Sequence, residues 1–304
     1  MRMRAIGGSE LVASVVGLGT NNFGWRIDEG GAKAVVEAAL EVGITFFDTA
    51  ELYSDGESEV FLGRALGRRR GDVAIATKFG FGQGTDPPGG SRDYIRTAIE
   101  GSLRRLGTDY VDLYQYHRPD GVTPIEETLG ALDELVAAGK VRHIGSSHFS
   151  PAQVVEADEV ARERGFARFV SAQNEYSLLE REVERELLPT CERLGIGVIP
   201  FFPLARGLLT GKVRRGQPPP AGSRLAAEGL DADDETWDRL ETLEAFARSR
   251  GLTLLDVAIG GLAAQPAVTS VIAGATSPEQ VRANAAAGAW QPSEADLEEL
   301  RSLP

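Results

Sequence analysis

The chain has 304 residues, 42% of them hydrophobic, and a formal net charge of −13. Because its basic residues are scattered, the composition argues against nucleic acid or an anionic membrane as the main partner. The single cysteine, Cys191, excludes an internal disulfide and is expected to be a buried structural thiol. No uninterrupted apolar run reaches the roughly 18 residues of a membrane span, and the first residues make a poor signal peptide, so we expect a cytoplasmic protein.

Short apolar runs alternate with helical patterns along the chain. Residues 1–6, a turn at Gly7-Gly8 and residues 10–14 predict an opening hairpin. Helical spacing predicts helices over residues 30–43, 91–107, 124–139, 150–165 and 183–195, and more than one helix over residues 234–265. Eight apolar runs predict buried strands: Val15–Leu18, Ile44–Phe47, Val73–Thr77, Val111–Tyr116, Val141–Ser146, Phe169–Gln173, Gly197–Phe201 and Ser270–Ala273.

This alternation decides between two classes of α/β fold. Eight strands separated by helices, without a break in composition, predict a (β/α)8 TIM barrel with an N-terminal β-hairpin, as a single domain over residues 1–304. An open doubly wound sheet is the main alternative. Its dinucleotide-binding motif is G-x-G-x-x-G, but in GLGTNNFG the third glycine is replaced by Asn22, so the barrel is favoured.

Two segments rich in glycine, proline and polar residues interrupt the pattern, at residues 80–91 and 211–229. Both follow predicted strand ends, and the loops after strands form the catalytic face of a barrel. Long loops in compact domains are usually functional lids or disordered segments. We predict that these two segments are lids.

Four ionisable residues lie at or just after the ends of predicted strands: Asp48, Tyr53, Lys78 and His117. Taken singly, each has an ordinary structural interpretation. Asp48 is then a helix cap, Tyr53 a packing residue, Lys78 a surface charge and His117 a core histidine. In a barrel, the second, third and fourth strands are neighbours, so their ends bring these side chains together. A tyrosine hydroxyl has a pKa of about 10, and a neighbouring ammonium is expected to lower that pKa. The group therefore predicts a proton donor to an oxygen that becomes an alkoxide, as carbonyl reduction by hydride transfer requires.

The sequence around these residues resembles the aldo-keto reductase superfamily. The matching stretches are FFDTAELYSDGESEVFLGRAL, VAIATKFG, GTDYVDLYQYHRPD, VRHIGSSHFS, FVSAQNEYSLL, VIPFFPLARGLLTGK and VIAGATSPEQVRANAAA, in the family's order over about residues 5 to 290. The HRPD run is similar to the bacterial-type branch. The resemblance implies a (β/α)8 barrel that reduces aldehydes or ketones to alcohols with NADPH. It also implies a catalytic tetrad of Asp48, Tyr53, Lys78 and His117, with Tyr53 as the general acid.

The same resemblance implies a nicotinamide cofactor site. Gln173 and Ser147 match the residues that hold the nicotinamide carboxamide, and Phe201 matches the aromatic residue that stacks on the ring. His148 stands where the family usually has asparagine. The remaining predicted cofactor contacts, which include the loop around the pyrophosphate and the segment around the adenosine phosphate, are Thr20, Leu204, Arg206, Gly207, Leu208, Gly274, Thr276, Gln280 and Asn284.

The choice between NADPH and NADH depends on the phosphate end of this site. Family members that use NADPH commonly place lysine or arginine near the 2′-phosphate, but GATSPEQ has no cation. Backbone amides, Thr276, Ser277, Arg282 or a loop arginine are the candidates to compensate, the loop arginines being Arg214, Arg215 and Arg224. We predict NADPH, with NADH as the second choice.

Aromatic residues near the predicted strand ends are candidate walls for a small-molecule carbonyl substrate. Trp25, Phe79 and Phe149 are the predicted substrate-pocket residues. Phe81, Tyr114 and residues 211–229 are further candidates. Core packing is the competing interpretation for each aromatic residue, and Tyr114 is also placed to face a helix.

Two other functions are alternatives to a reductase. The chain has three histidines, His117, His143 and His148. A barrel hydrolase needs several His and Asp ligands, and Lys78 would repel a cation, so no metal site is predicted. The second alternative is a nicotinamide-cofactor-binding sensor or regulatory subunit with little turnover. The intact set of four ionisable residues favours the enzyme.

Overall fold

The computed structural model describes residues 1–81, 84–229 and 232–303. Two antiparallel strands, β1 (Met3–Ala5) and β2 (Val12–Ser14), form the predicted N-terminal hairpin. Within the described ranges, eight parallel strands then form one sheet: β3 (Val16–Gly19), β4 (Phe46–Asp48), β5 (Ala74–Phe79), β6 (Val111–Tyr116), β7 (Val141–Ser147), β8 (Phe169–Gln173), β9 (Gly197–Val198) and β10 (Val271–Gly274).

The sheet curls until its two edges meet. Its strand order is β10-β3-β4-β5-β6-β7-β8-β9. Val198 of β9 pairs with Val268, just before β10, through bonds from the Val198 amide to the Ala267 carbonyl at 2.8 Å and from the Thr269 amide to the Val198 carbonyl at 2.9 Å. These bonds join the edge strands, which confirms the predicted (β/α)8 barrel with an N-terminal hairpin.

Helices connect the strands and cover the outside of the barrel. They are α1 (Glu29–Glu41), α2 (Glu57–Leu66), α3 (Arg92–Leu106), α4 (Ile125–Ala137), α5 (Pro151–Arg164), α6 (Leu187–Leu194), α7 (Arg224–Glu228), α8 (Asp234–Ser249), α9 (Leu254–Ala263), α10 (Pro278–Ala287) and α11 (Glu294–Ser302). Helices α3 and α5 begin at the Ser91 and Ser150 caps, and both end at left-handed glycines. Among the described helices, none is long and apolar enough to cross a membrane.

Sequence patterning misses α2, α7, α10 and α11. In α2, Gly63 weakens the helical signal because glycine is a poor helix former. The structure gives the reason for this glycine: a Cβ at position 63 would overlap the backbone of Leu106 in α3. Close contact between two helices therefore outweighs local propensity at this position.

Two apolar cores position the site at one end of the barrel. Side chains alternate along each strand, so outward residues pack under the helices and inward residues fill the barrel. The hairpin closes the amino-terminal end of the barrel, and the carboxyl ends of the strands stay open. The buried residues of the inner core are Ile6, Leu11, Ala13, Phe46, Ala74, Ala76, Leu113, Ile199 and Ile272.

Candidate active site

The four predicted catalytic residues meet at the carboxyl end of the barrel. Lys78, in β5, is fully buried. Its Nζ donates to Asp48 Oδ1 at 2.5 Å, to the Thr49 carbonyl at 2.8 Å and to the Tyr53 hydroxyl at 3.2 Å. The His117 ring lies edge-on to the Tyr53 ring, with centroids 6.1 Å apart. These side chains converge because β4, β5 and β6 are adjacent in the sheet.

Strained backbone holds Tyr53 just after β4. Tyr53 begins a short 3-10 helix, Tyr53–Gly56, in which Ser54 and Asp55 have φ angles of 50° and 52°. Residues other than glycine rarely adopt this left-handed region, and such strain concentrates at functional sites. Ser54 Oγ donates to the Phe23 carbonyl at 2.9 Å and stabilises the turn. The Tyr53 hydroxyl is thereby fixed beside Lys78.

The surroundings shift the pKa values of Lys78 and Tyr53. Burial acts to lower the pKa of Lys78, but Asp48 and Tyr53 together raise it above its usual value, so the amine stays charged. Burial raises the pKa of Tyr53 and outweighs the lowering effect of Lys78. Lys78 does act to lower the pKa of Tyr53, as predicted from the sequence. The net pKa of Tyr53 is nevertheless raised, which the sequence did not predict. Tyr53 therefore keeps its proton at neutral pH.

His117 follows β6, is buried and stays neutral. Burial lowers the pKa of its imidazole well below the usual value, and the charges of Lys78, His148 and Arg118 act in the same direction. The His117 Nδ1 atom is buried and has no hydrogen-bond partner in the part of the chain that the structure describes. A buried N–H group without an acceptor is costly. We therefore assign the proton of the neutral ring to Nε2.

Residues predicted to hold the carboxamide lie beside this group. Gln173, at the end of β8, donates from Nε2 to Asp48 Oδ2 at 2.8 Å. His148 has a left-handed backbone, with a φ of 57°, and its ring centroid lies 4.9 Å from that of Phe201. The His148 Nδ1 atom is 3.0 Å from the His117 carbonyl oxygen. A carbonyl oxygen only accepts, so Nδ1 carries the His148 proton and Nε2 is an acceptor.

A cavity of about 540 Å³ opens above these residues. This volume is typical of a small-molecule or cofactor site. The described residues contain no cluster of three or more His, Cys, Asp or Glu that would hold a metal ion. The predicted residues that line the cavity are Thr20, Asp48, Tyr53, His117, His148, Gln173, Phe201, Leu204, Arg206, Gly207, Gly274, Gln280 and Asn284.

Several predicted cofactor and substrate residues do not line the cavity in the described structure. Ser147 is buried, and its Oγ donates to a backbone carbonyl of β8 at 2.9 Å. The Thr276 amide donates to Gln280 Oε1 at 2.8 Å and so positions a residue that does line the cavity. Leu208 packs against the outer core, and Trp25 is 51% exposed.

Phe79 and Phe149 are core residues, which corrects their assignment to the substrate pocket. Because side chains alternate along β5, the inward direction of Lys78 makes its neighbour Phe79 point outwards. There the Phe79 ring packs against Tyr114 and Tyr116, with centroids 4.7 and 5.1 Å away. Phe149 is buried among other aromatic rings of the same core.

The two predicted lid segments contribute differently to the cavity. In residues 80–91, Phe81 lines it, whereas Gly82 and Gln83 lie outside the described residues. In the second segment, Lys212, Val213 and residues 220–225 line it, and residues 220–223 lead into α7. Arg26, from the loop after β3, donates to the Gly222 carbonyl and joins the second segment to the opposite wall. The second segment therefore forms part of the cavity wall. That it opens and closes as a lid stays a prediction.

The cations that line the cavity in the described structure are Arg26, Arg206, Lys212 and Arg224. The Arg224 side chain is only 12% exposed. Burial lowers the pKa of Arg224, Glu228 opposes that shift, and the charges of Arg26 and Arg206 add to it. The positive charges of Arg26 and Arg206 therefore act on Arg224 across a site that a bound anion would stabilise.

Of the arginines predicted as candidates for the 2′-phosphate site, Arg224 alone lines the described part of the cavity. Arg214, Arg215 and Arg282 form ion pairs with surface carboxylates and do not line the described part of the cavity. Arg26 and Lys212, which were not candidates, do line it. A usable signal for Arg26 is its place in the loop after β3, because loops after barrel strands face the active site. Other lining residues that sequence reasoning misses include Asn21, Asn22, Leu52, Phe202 and Pro203.

The HRPD run after β6 fixes the loop that follows His117. Asp120 is buried, and its carboxylate accepts hydrogen bonds from the amides of Gly90, Val122 and Thr123, at 2.8 to 2.9 Å. The Asp120 amide in turn donates to the Tyr116 hydroxyl at 2.9 Å. Asp120 therefore joins the loop that follows His117 to the loop that precedes α3.

Comparison with known proteins agrees with this geometry. A sequence profile of the Aldo/keto reductase family matches residues 15–304. The chain belongs to the aldo/keto reductase family. This confirms the predicted family, and membership supports oxidoreductase activity on small carbonyl compounds.

This aldo/keto reductase has relatives with different names. It is 38% identical over 296 residues to a probable voltage-gated potassium channel subunit beta of Oryza sativa subsp. japonica, across 93% of this chain and 90% of that protein. It is also 38% identical over 296 residues to an uncharacterized oxidoreductase of Bacillus subtilis (strain 168), across 93% and 89% of the two chains. It is 36% identical over 301 residues to probable aldo-keto reductase 1 of Glycine max, across 96% and 84%.

Proposed function

We propose that this aldo/keto reductase reduces aldehydes or ketones to alcohols by hydride transfer from NADPH, with Tyr53 as the proton donor. The observation that carries the proposal is the position of Lys78 Nζ, which joins Asp48 Oδ1 at 2.5 Å to the Tyr53 hydroxyl at 3.2 Å. A charged amine beside a phenol stabilises the phenolate that proton donation leaves behind. The stabilisation is strong because the site is enclosed and its groups are already in place.

Each of the four residues has a separate role. Tyr53 protonates the carbonyl oxygen of the substrate as that oxygen gains negative charge. Lys78 stabilises the resulting phenolate, and Asp48 keeps Lys78 charged and in place. His117, neutral and protonated on Nε2, donates a hydrogen bond that orients the carbonyl oxygen. A reduced nicotinamide cofactor would supply the hydride.

The residues around the cavity fit a phosphorylated nicotinamide cofactor. Gln173, His148 and Phe201 offer an amide, an imidazole and an aromatic face next to the catalytic residues. The cluster of cavity cations favours phosphate groups through charge-assisted hydrogen bonds. Lys212 lines the cavity and forms no ion pair with any described residue, so its charge is available for the 2′-phosphate of NADPH. This supports NADPH over NADH, although GATSPEQ itself has no cation.

The Tyr53→Phe substitution tests the proton donor. Enzyme, NADPH and 4-nitrobenzaldehyde are mixed for a single turnover, and NADPH oxidation is followed by absorbance. We expect Tyr53→Phe to slow oxidation by about a hundred-fold or more, with the dissociation constant of NADPH nearly unchanged. Tyr110→Phe is the matched control, since Tyr110 stacks with Arg70 and Arg142, away from the cavity. Near-normal turnover by Tyr53→Phe would contradict the assignment.

The relatives named as probable potassium channel beta subunits favour a second candidate function. In this candidate, the chain is a nicotinamide-cofactor sensor or regulatory subunit with little turnover, and it binds the cofactor through the same cavity residues. A panel of aldehydes and ketones distinguishes the two functions. Oxidation of bound NADPH by any of them supports the reductase, whereas tight NADPH binding without oxidation by the whole panel supports the sensor.

A further inference from the structure

Gln115 is a fully buried polar residue inside the barrel, below the cavity. It lies in β6, in register with Lys78 of β5 and Gly145 of β7. A Cβ at position 145 would lie 3.2 Å from Gln115 Cγ and would overlap the Ser171 hydroxyl, so glycine at 145 makes room for the amide. A buried amide of this kind needs its hydrogen-bonding groups satisfied.

The Gln115 amide connects the catalytic carboxylate with a cofactor residue. Its Nε2 donates to Asp48 Oδ2 at 3.3 Å. Its Oε1 accepts from Gln173 Nε2 at 3.4 Å and from the Ser171 hydroxyl at 3.4 Å. Asp48 Oδ2 also accepts from Gln173 Nε2, at 2.8 Å. The three side chains Asp48, Gln115 and Gln173 form a closed triangle of hydrogen bonds, which we term the amide triangle.

The amide triangle determines which end of the Gln173 amide faces the cavity. A carboxylate only accepts, so Gln173 presents its NH₂ group to Asp48. The second hydrogen of that NH₂ group is directed at Gln115 Oε1. Both hydrogens are therefore used, and Gln173 Oε1, which has no partner among the described residues, is the atom left for a ligand. If Gln115 could not accept, the second hydrogen would be free for a ligand as well.

We propose that Gln115 is a positioning residue that makes Gln173 a pure hydrogen-bond acceptor towards the cavity. The ligand group selected in this way must carry a donor at that point. In the proposed function, on which this inference rests, the donor is the NH₂ of the nicotinamide carboxamide. Gln115 thus contributes to cofactor recognition without touching the cofactor, and it connects that recognition to the carboxylate that anchors Lys78.

The test compares two oxidised nucleotides that differ at this one group. NADP⁺ has a carboxamide, whereas its 3-acetylpyridine analogue has a methyl ketone and cannot donate. Calorimetric dissociation constants for both are measured with the wild type, with Gln115→Met and with Gln115→Glu. We expect the wild type to prefer NADP⁺ by about ten-fold, since a lost hydrogen bond to a buried acceptor costs that much. Gln115→Met should reduce this ratio to about two-fold, because the second hydrogen of the Gln173 NH₂ group then has lost its acceptor and is free to be donated to the methyl ketone.

The conservative variant should restore the preference. In Gln115→Glu, an oxygen still accepts from Gln173, and one proton shared with Asp48 replaces the lost amide donor, as expected for adjacent carboxyls. The ratio should therefore stay near that of the wild type. Ser270→Ala is the control for loss of a buried hydrogen bond: Ser270 Oγ donates to the Ser14 carbonyl at 2.7 Å, far from the amide triangle, and its removal should not change the ratio.

Each outcome bears on one proposal in a defined way. A wild-type ratio retained by Gln115→Met, or lost in Gln115→Glu, overturns the positioning role even when NADPH-dependent turnover is present. If Gln115→Met does not fold, Gln115→Leu, which also lacks the acceptor for Gln173, takes its place with the same expected ratio. If the wild type binds neither nucleotide, the proposed function itself fails, and the role of Gln115 fails with it.

Discussion

Asp48 and Lys78 form an ion pair inside the barrel, 2.5 Å between Oδ1 and Nζ, with side chains 1% and 0% exposed. Removing one partner of such a pair leaves an uncompensated buried charge. We expect Asp48→Asn to lower the free energy of unfolding at pH 7 by about 3–5 kcal/mol, measured by urea denaturation. The loss should shrink at alkaline pH, because Asp48 no longer raises the pKa of Lys78 and the buried amine can lose its charge.

The matched control for this prediction is Glu37→Gln. Glu37 pairs with Lys33 on the surface of α1, at 3.8 Å and with side chains more than half exposed. Exposed pairs contribute little, so the control should change the unfolding free energy by no more than about 0.5 kcal/mol. Equal losses in the two variants would mean that the burial of the Asp48–Lys78 pair has no special effect.

The positions of strand ends make the meeting of Asp48, Lys78 and His117 predictable from sequence. Asp48, Lys78 and His117 each lie where an apolar run ends, and parallel strands place such ends at one rim of a barrel. The barrel and its hairpin follow from the same alternation of runs. The ends of the strands are predicted less well than their existence. The predicted strand Gly197–Phe201 is longer than β9, which ends at Val198. Pro200 explains this difference, because proline has no amide hydrogen to donate to the sheet.

Contacts between distant segments are what the sequence does not predict. Phe79 is adjacent to Lys78 in sequence but points to the opposite side of the sheet, so closeness to Lys78 in sequence is a poor guide to the residues of the pocket. Gln115 and Gln173 are 58 residues apart and meet only because the barrel closes. Lys212 lies in the segment at residues 211–229 that composition predicts as a lid, but composition does not indicate that this lysine lines the cavity. The contacts of Phe79 and Gln115 leave no local pattern.

Because the pKa of His117 is lowered, we expect the free energy of unfolding to fall in mild acid. Burial holds this pKa well below the value of about 6.5 for an unfolded histidine. At a pH between the folded and the unfolded pKa of His117, the unfolded chain binds a proton on this histidine and the folded chain does not. The free energy of unfolding therefore increases with pH in this range, and stability is lost as pH falls below about 6.5. We expect His117→Gln to reduce the slope of unfolding free energy against pH by up to about 1.4 kcal/mol per pH unit, measured between pH 5 and about 6.5.

The comparison with the wild type isolates His117 from other titrating groups. The pKa values of His143 and His148 are lowered in the same direction, and burial raises that of Glu51, but these groups are present in both proteins. A slope that is unchanged or steeper in His117→Gln would mean that His117 is not held neutral.

Because the pKa of Asp120 is also lowered, we expect a second loss of unfolding free energy at lower pH. Burial acts to raise its pKa, but the amides of Thr123, Val122 and Gly90 lower it to about 2. An unfolded aspartate has a pKa of about 3.9, so this contribution is complete above pH 4 or so and is lost as pH falls towards about 2. Asp120→Asn should cost about 2 kcal/mol at pH 7 and much less near pH 2.

Asp72→Asn is the control for the Asp120 prediction. Asp72 is 67% exposed and pairs with Arg69 at 3.7 Å. Urea denaturation of Asp72→Asn should match the wild type at both pH values. If Asp120→Asn loses as much stability in acid as at neutral pH, the cost comes from the changed shape of the side chain and not from its charge.

Lys212 is the residue through which we expect the chain to prefer NADPH over NADH. It lines the cavity, as do Gln280 and Asn284, and makes no ion pair within the described residues. A charge-assisted bond to the 2′-phosphate would be lost in Lys212→Met, so the dissociation constant of NADPH should rise about ten-fold and that of NADH less than about two-fold. Lys33→Met, on the outer face of α1, should change neither constant. Equal weakening of both cofactors would place Lys212 at the pyrophosphate, which they share, and the preference for NADPH would then depend on backbone amides or on another cation.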